Sequence, residues 1–163
     1  MNNEKETFLR TWEQEFATTL KVLKAFPHDK QDLKPAPISR SAKELAWVFA
    51  DEERVMVAGV ASGNIDWTSF QPAPATIKDA IAAYEKNHAA IVEKVRSMSD
   101  ADWQAAMPFY VAPKVAGNVR RADILWIALH DQIHHRGQFS VYLRLAGGKV
   151  PSIYGPTADE VWN

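Results

Sequence analysis

Apolar side chains recur every three or four positions in four long segments of this sequence. That spacing places them along one face of an α-helix, and such a face must be buried against other parts of the protein. The pattern predicts helices over about residues 4–25, 41–59, 76–97 and 119–146.

Local signals support the ends of these helices. Ser41 and Glu44 have the spacing of a capping box, in which each residue bonds the backbone amide of the other. Thr76 opens the third helix in a similar way, and Gly147 with the following glycine ends the fourth. Residues 104–118 contain prolines and a glycine, so we predict an irregular connection there.

Long helices joined by connections of moderate length are typical of an all-α four-helix bundle. A chain of 163 residues is long enough for one core but short for two, so we predict a single domain over residues 1–163. The tail "KVPSIYGPTADEVWN" combines turn formers with aromatic residues. We expect it to be irregular and to pack on the bundle.

Composition excludes several kinds of protein. The sequence contains no cysteine, which rules out disulfides, thiolate metal sites and a cysteine nucleophile. A formal net charge of -1 gives no reason to expect nucleic-acid binding. The polar N-terminus does not resemble a signal peptide, and no apolar run is long enough to cross a bilayer. We therefore expect a cytoplasmic protein without a membrane or nucleic-acid partner.

Three histidines and an aspartate crowd the fourth helix in the stretch "HDQIHH". Residues four apart share a helix face, so the pairs are His130 with His134 and Asp131 with His135. Each pair could close on one metal ion. We favour the second pair, because its face also collects Gln138 and other polar groups that need partners if buried.

The second helix offers a third ligand. Glu52 falls on the apolar face of that helix, where an unpaired carboxylate is costly, whereas Asp51 and Glu53 are expected to point to solvent. Glu52, Asp131 and His135 would make a mixed oxygen and nitrogen site suited to zinc, nickel, iron or manganese. The alternatives are ligation by the other histidine pair and a hydrogen-bonded polar interior without an ion.

The stretches "HHRGQFSVYLRLAGGKVPSIYGP" and, more loosely, "SAKELAWVFADEERVM" resemble the DinB-like (damage-inducible) four-helix bundle superfamily. The resemblance implies an up-down-down-up bundle, often a homodimer, with one divalent ion held by three histidines. It also implies a metal-dependent transferase or isomerase that uses a low-molecular-weight thiol such as bacillithiol or mycothiol.

The family's three histidines map onto this sequence by position. Alignment on "RGQ" puts the later histidine of the last helix at His135 and the earlier one at Asp131. The histidine of the second helix falls near Val48. The resemblance therefore implies a variant site, with Glu52 one turn after Val48 as a replacement ligand, a shift to His130 and His134, or a member without metal.

We therefore predict a metal-dependent enzyme with zinc or nickel, or else iron or manganese, a possible thiol cofactor and a small-molecule substrate. The rival is a non-catalytic bundle whose degenerate site binds a small molecule or stabilises a homodimer, for which Trp12 and Phe16 could face a partner helix. Gly137, inside a helix, suggests close approach of a neighbouring helix or a packed aromatic ring. Residues expected to support the ligands are Gln138, Arg136 and Tyr142, and residues expected to wall the pocket are Tyr154, Trp67 and Tyr110.

Overall fold

The computed structural model describes residues 3–162. In chain order the helices are α1 (Asn3–Lys24), α2 (Ala42–Glu52), α3 (Ala58–Ser62), α4 (Ile77–Arg96), α5 (Asp100–Gln104) and α6 (Arg121–Leu145). The bundle has four long helical segments, namely α1, α2 with its continuation α3, α4, and α6, which confirms the predicted all-α class. An antiparallel hairpin of β1 (Ala106–Ala112) and β2 (Val115–Arg120) precedes α6.

The predicted helix ends are present. The Ser41 hydroxyl accepts from the Glu44 amide at 3.4 Å, while the Glu44 carboxylate accepts from the Ser41 amide at 2.6 Å. At the start of α4, the Thr76 hydroxyl accepts from the Asp79 amide at 3.1 Å. Gly147 follows α6 with a left-handed φ of 81°, a conformation that glycine adopts without steric cost.

The apolar core consists of two clusters, one toward each end of the bundle. Along α1 and α6 the chain passes through the first cluster and then the second, whereas along α2 with α3, and along α4, it passes through them in reverse order. The four segments therefore run up, down, down and up. The first cluster includes Phe8, Trp12, Val60, Val95 and Leu125; the second includes Leu23, Leu45, Ile77, Phe139 and Leu143.

Between the two clusters lies a layer of buried polar side chains, which we call the polar layer. Each of its members is at most 5% exposed, although all five are polar or ionisable. Buried polar groups of this kind need partners, so this level of the bundle is where chemistry or a bound group is to be sought. The polar layer consists of Glu52, Glu53, His88, Gln132 and Arg136.

A wide helical turn begins at the polar layer. Residues Glu53–Val57 form a π-helical turn between α2 and α3, and the Ala58 amide donates to the carbonyl of Glu53, five residues earlier. A π turn holds one more residue than an α turn of the same rise, so it alters which side chains face inward. The side chains that follow the turn therefore face other directions than they would in an uninterrupted α-helix.

The hairpin replaces the irregular connection predicted over residues 104–118. Its strands pair from Ala106 with Arg120 to Ala112 with Val115, and Lys114 at the tip has a positive φ of 63°. Most of its side chains are exposed on both faces, so the sequence lacks the alternation that marks a half-buried strand. That prediction was wrong for this reason.

The C-terminal tail packs on the bundle, as expected. The Tyr154 hydroxyl donates to Glu15 of α1 at 2.8 Å, and Lys21 of α1 lies 3.2 Å from the Glu160 carboxylate. Within residues 3–162, no helix combines the length and apolarity that a membrane crossing requires.

Replacement of two glycines of the bundle with alanine is expected to change the free energy of unfolding in opposite directions. A Cβ at Gly59 would lie 2.8 Å from the Asn64 carbonyl oxygen, so Gly59→Ala should lower the free energy of unfolding by about 1–2 kcal/mol. A Cβ at Gly137 would meet nothing within 4 Å, so the predicted close approach there is wrong. Gly137→Ala should instead stabilise by up to about 1 kcal/mol through helix propensity.

Urea unfolding followed by circular dichroism measures both changes. Because both substitutions add the same methyl group to a helical segment, each variant is the control for the other. Equal effects at Gly59 and Gly137 would contradict the packing described around Gly59.

Candidate functional site

Asp131 and His135 form an ion pair on α6. His135 Nε2 lies 3.2 Å from Asp131 Oδ2, and the Asp131 side chain is 49% exposed while that of His135 is 13% exposed. On the other side of the ring, His135 Nδ1 lies 3.1 Å from Gln138 Oε1. The Gln138 amide nitrogen in turn lies 2.9 Å from His134 Nε2. Gln138 therefore orients both neighbouring imidazoles.

Each residue of this pair stabilises the charged form of the other. The hydrogen bond from His135 lowers the pKa of Asp131 against the opposing effect of burial. The hydrogen bond to Asp131 raises the pKa of His135, and Gln138 adds to that effect. In the protonated imidazole both ring nitrogens donate, one to Asp131 and one to Gln138. Arg40 lies close enough to act on both groups electrostatically.

Glu52 lies beside this pair on α2. Its side chain is buried, and its Oε2 atom has no hydrogen-bond partner. Burial raises the pKa of Glu52 well above its usual value, and the nearby Asp131 and Glu53 carboxylates raise it further. Because α2 and α6 bring these two carboxylates close together, this point of the bundle favours a positive charge or a proton.

The prediction that Asp51 and Glu53 point to solvent is wrong. Asp51 is 3% exposed and accepts from Arg54 Nε and from the Gln71 amide, both at 2.9 Å. Glu53 is 0% exposed. The three consecutive acidic side chains are buried by different neighbours: the loop that carries Gln71 covers Asp51, whereas α1 and α4 cover Glu53.

Glu53 is held by partners from α1 and α4. The Trp12 indole donates to its Oε1 at 2.9 Å, and His88 Nδ1 lies 3.0 Å from Oε2. Burial raises the pKa of Glu53, while the contact with His88 opposes the rise. Phe16 stacks on the His88 ring at a centroid distance of 3.6 Å. Trp12 is thus buried in its own chain, and the expectation that it faces a partner helix is wrong.

All four buried side-chain atoms that make no hydrogen bond in the described chain lie at or next to the polar layer, and one of them, His88 Nε2, lies 3.6 Å from Glu13 Oε2. They come from three different helices, so they converge from different sides on one level of the bundle. Native proteins leave few such atoms unsatisfied, and those that occur commonly mark a bound group or ordered water. These atoms are Glu52 Oε2, Tyr84 Oη, His88 Nε2 and Gln132 Nε2.

A cleft of about 440 Å³ opens beside Asp131, and we call it the aromatic cleft. Trp67 and Tyr110, two of the predicted pocket residues, lie near the cleft but do not line it. The Trp67 ring lies 5.9 Å from the ring of Phe109, which lines the cleft, and 5.7 Å from the ring of Tyr110. The other histidine pair lies here, with both side chains exposed. The cleft is lined by Met56, Phe109, Ile127, His130, Asp131 and His134.

The other predicted supporting residues lie elsewhere. Arg136 faces α1, where it donates to Glu15 and to the Tyr154 hydroxyl, both at 2.5 Å. Tyr154 is therefore outside the aromatic cleft. Tyr142 donates to the Arg40 carbonyl at 3.0 Å and so fixes the connection that carries Arg40. A larger cleft of about 690 Å³ between that connection and α6 contains Arg40 and Gln138, but no carboxylate or imidazole.

Within residues 3–162, no three His, Asp or Glu side chains are already grouped as ligands for a metal ion. The sequence predicted Glu52, Asp131 and His135 as ligands. It did not predict the Arg40 charge beside them or the Glu53–His88 contact. For the last, His88 on the apolar stripe of α4 was the available signal, because a buried imidazole requires a partner.

The family model and the similar proteins each match nearly the whole chain. The model of the DinB family matches residues 1–162. Uncharacterized protein YrdA of Bacillus subtilis strain 168 is 26% identical over 159 residues, covering 94% of this chain and 89% of that protein. A DinB-like protein from Bacillus cereus ATCC 10987 has a TM-score of 0.75 at 26% identity, over 91% of this chain and 97% of the other. The DinB-like protein YjoA of Bacillus subtilis has the same fold, with a TM-score of 0.74 at 19% identity, covering 90% and 97% of the two chains.

Proposed function

Because the chain belongs to the DinB family, we propose that it acts on a small molecule at a divalent-cation site formed by Glu52, Asp131 and His135. One observation carries the proposal: Glu52 Oε2 is buried without a partner, close enough to Asp131 for the two carboxylates to repel each other. A divalent cation would give Glu52 Oε2 a partner and would also offset the repulsion between the two carboxylates.

The donor set fits a divalent ion in its chemistry. Two carboxylates and an imidazole suit zinc or nickel first, with iron or manganese as alternatives. The Asp131–His135 contact at 3.2 Å closes the site in the present arrangement. Metal binding therefore has to replace this contact, with the loss of a proton from His135.

A bound ion would lower the pKa of a thiol or water at an open position and so supply a nucleophile at neutral pH. The half-exposed Asp131 lets a small molecule reach this point from the aromatic cleft. Gln138 would keep the His135 ring in orientation while its other nitrogen binds. The reaction class we propose is thiol-dependent transfer or isomerisation, as the family resemblance implies.

Metal binding tests the proposal directly. Chelator-treated protein is titrated with zinc or nickel by calorimetry, and bound metal is counted by mass spectrometry. We expect one ion per chain, and at a free zinc concentration 100 times the Kd a stabilisation of about 2.7 kcal/mol, or roughly 5–10 °C in Tm. Asp131→Asn and His135→Ala should weaken binding more than about 100-fold, since changes outside the ligand set already cost 10–100-fold.

His130→Ala is the matched control, since His130 lies on the same helix, one residue before Asp131, but outside the proposed ligand set. It should leave the affinity within about threefold, as expected for an exposed substitution. Loss of binding in His130→Ala and His134→Ala, with full binding in Asp131→Asn, would assign the site to the other pair. Absence of stoichiometric metal binding would overturn the cation site altogether.

A second candidate is a metal-free bundle that binds a small molecule or stabilises a homodimer. Two observations favour it: the Asp131–His135 ion pair already satisfies those residues, and half-buried Val48 stands where the resemblance implies a histidine. Its expected result is a stable protein with no bound metal and no metal-dependent turnover of thiol adducts. The proposed homodimer is measured separately, by sedimentation velocity across a concentration series.

A further inference from the structure

We infer that the aromatic cleft selects compact aromatic molecules, with the ring against Phe109, Met56 and Ile127 and the polar end at Asp131. This inference rests on the proposed function, because the polar end would meet the cation site. It adds a substrate class, which the polar residues alone do not define.

The apolar wall is built and supported from behind. The half-buried Phe109 ring stands on β1, and Trp67 packs behind it with a centroid distance of 5.9 Å. Trp67 also stacks with Phe70 at 6.3 Å and contacts Tyr110 at 5.7 Å. Because Phe109 also packs against the first core cluster, a ligand ring meets a wall that needs little ordering on binding.

The opposite side of the cleft comes from the helices. Met56 lies in the turn that follows Glu52, and Ile127 lies one turn before Asp131 on α6. Ile127 is 45% exposed, which leaves an apolar side chain in contact with solvent directly beside an ionised carboxylate. A ring that covers Ile127 would remove this surface from water while its polar substituent stays at Asp131.

The aromatic cleft is open to solvent and measures about 440 Å³. This leaves room for one substituted ring or a fused pair of rings together with a short polar group. The imidazoles of His130 and His134 at the rim can hydrogen-bond to that group.

A pair of metal-directed probes tests the inference. Benzohydroxamate and acetohydroxamate share the group that binds a metal ion and differ by the ring. On the zinc-loaded protein we expect benzohydroxamate to bind about 10–100-fold more tightly, from the burial of one ring. Phe109→Ala should remove about tenfold of that preference and leave acetohydroxamate binding unchanged.

Two variants keep the result interpretable. Ile127→Asn changes the wall at an exposed helix position and should also reduce the preference, so the test does not depend on Phe109→Ala remaining folded. Trp162→Ala is the control, because Trp162 is an exposed aromatic residue of the C-terminal tail and does not line the cleft. Equal affinity for the two hydroxamates would overturn the aromatic preference while leaving the cation site intact.

Failure of the cation site gives a different result. In that case neither hydroxamate binds, and the metal-free protein is tested with benzamidine against acetamidine, whose charge suits Asp131. A preference for benzamidine that Phe109→Ala weakens would support the aromatic cleft without the metal. Equal or absent binding of the two amidines would overturn the inference.

Discussion

Replacing His88 with alanine is expected to lower the free energy of unfolding by about 3–5 kcal/mol, because it removes a hydrogen-bond partner of the buried Glu53 and a buried aromatic ring. The fully buried Glu53 would keep the Trp12 indole at 2.9 Å but lose the imidazole at 3.0 Å. Loss of the ring stacked on Phe16 also leaves a cavity. Urea unfolding monitored by tryptophan fluorescence measures the change.

His28→Ala is the control for that substitution, because His28 is an exposed residue in a short turn and should change stability by less than about 0.5 kcal/mol. A double replacement, Glu53→Leu with His88→Leu, should be less destabilising than the sum of the single replacements, since neither member of the pair is left without the other. If His88→Ala unfolds at the same urea concentration as the wild type, the Glu53–His88 contact contributes nothing to stability.

Glu52→Gln is expected to stabilise the metal-free protein by about 1–3 kcal/mol at neutral pH, because it removes a buried carboxylate that has an unpartnered oxygen. The same substitution should weaken zinc binding more than about 100-fold. A group that costs stability but is needed for a ligand is the pattern expected of a functional residue. Chemical unfolding and calorimetry on one preparation measure both effects.

The stabilisation by Glu52→Gln should depend on pH. Burial raises the pKa of Glu52 well above its usual value of 4.5, so the folded protein keeps the proton where the unfolded chain has lost it. The wild-type protein therefore loses stability as pH rises from about 4.5 through the raised pKa. The difference in the free energy of unfolding between the variant and the wild type should be small near pH 4.5. It should reach its full size above the raised pKa. A constant difference across this range would contradict the direction of the shift.

Much of the fold followed from local sequence signals. The capping box at Ser41, the cap at Thr76 and the glycine after α6 each act within a few residues, so they are visible without tertiary structure. The "RGQ" stretch pointed to the family that the whole-chain match confirms. The hairpin was missed because its largely exposed strands show no alternation of apolar and polar residues.

The site was predictable only where its geometry is local. Asp131 and His135 are four residues apart on one helix, so their contact follows from helical geometry. The burial of Glu53 depends on His88 and Trp12, which lie on other helices and are distant in sequence. The position of Arg40 likewise depends on how Tyr142 anchors a connection, which no periodicity records.

The π turn at Glu53–Val57 has a consequence for comparing this chain with its relatives. One additional residue in a helix rotates everything after it by about 100° relative to a regular helix. A gap-free alignment to a homologue without this turn would equate side chains that face different directions. Structure-guided superposition should therefore introduce a one-residue insertion here, which separates Val48 and Glu52 from the positions that follow.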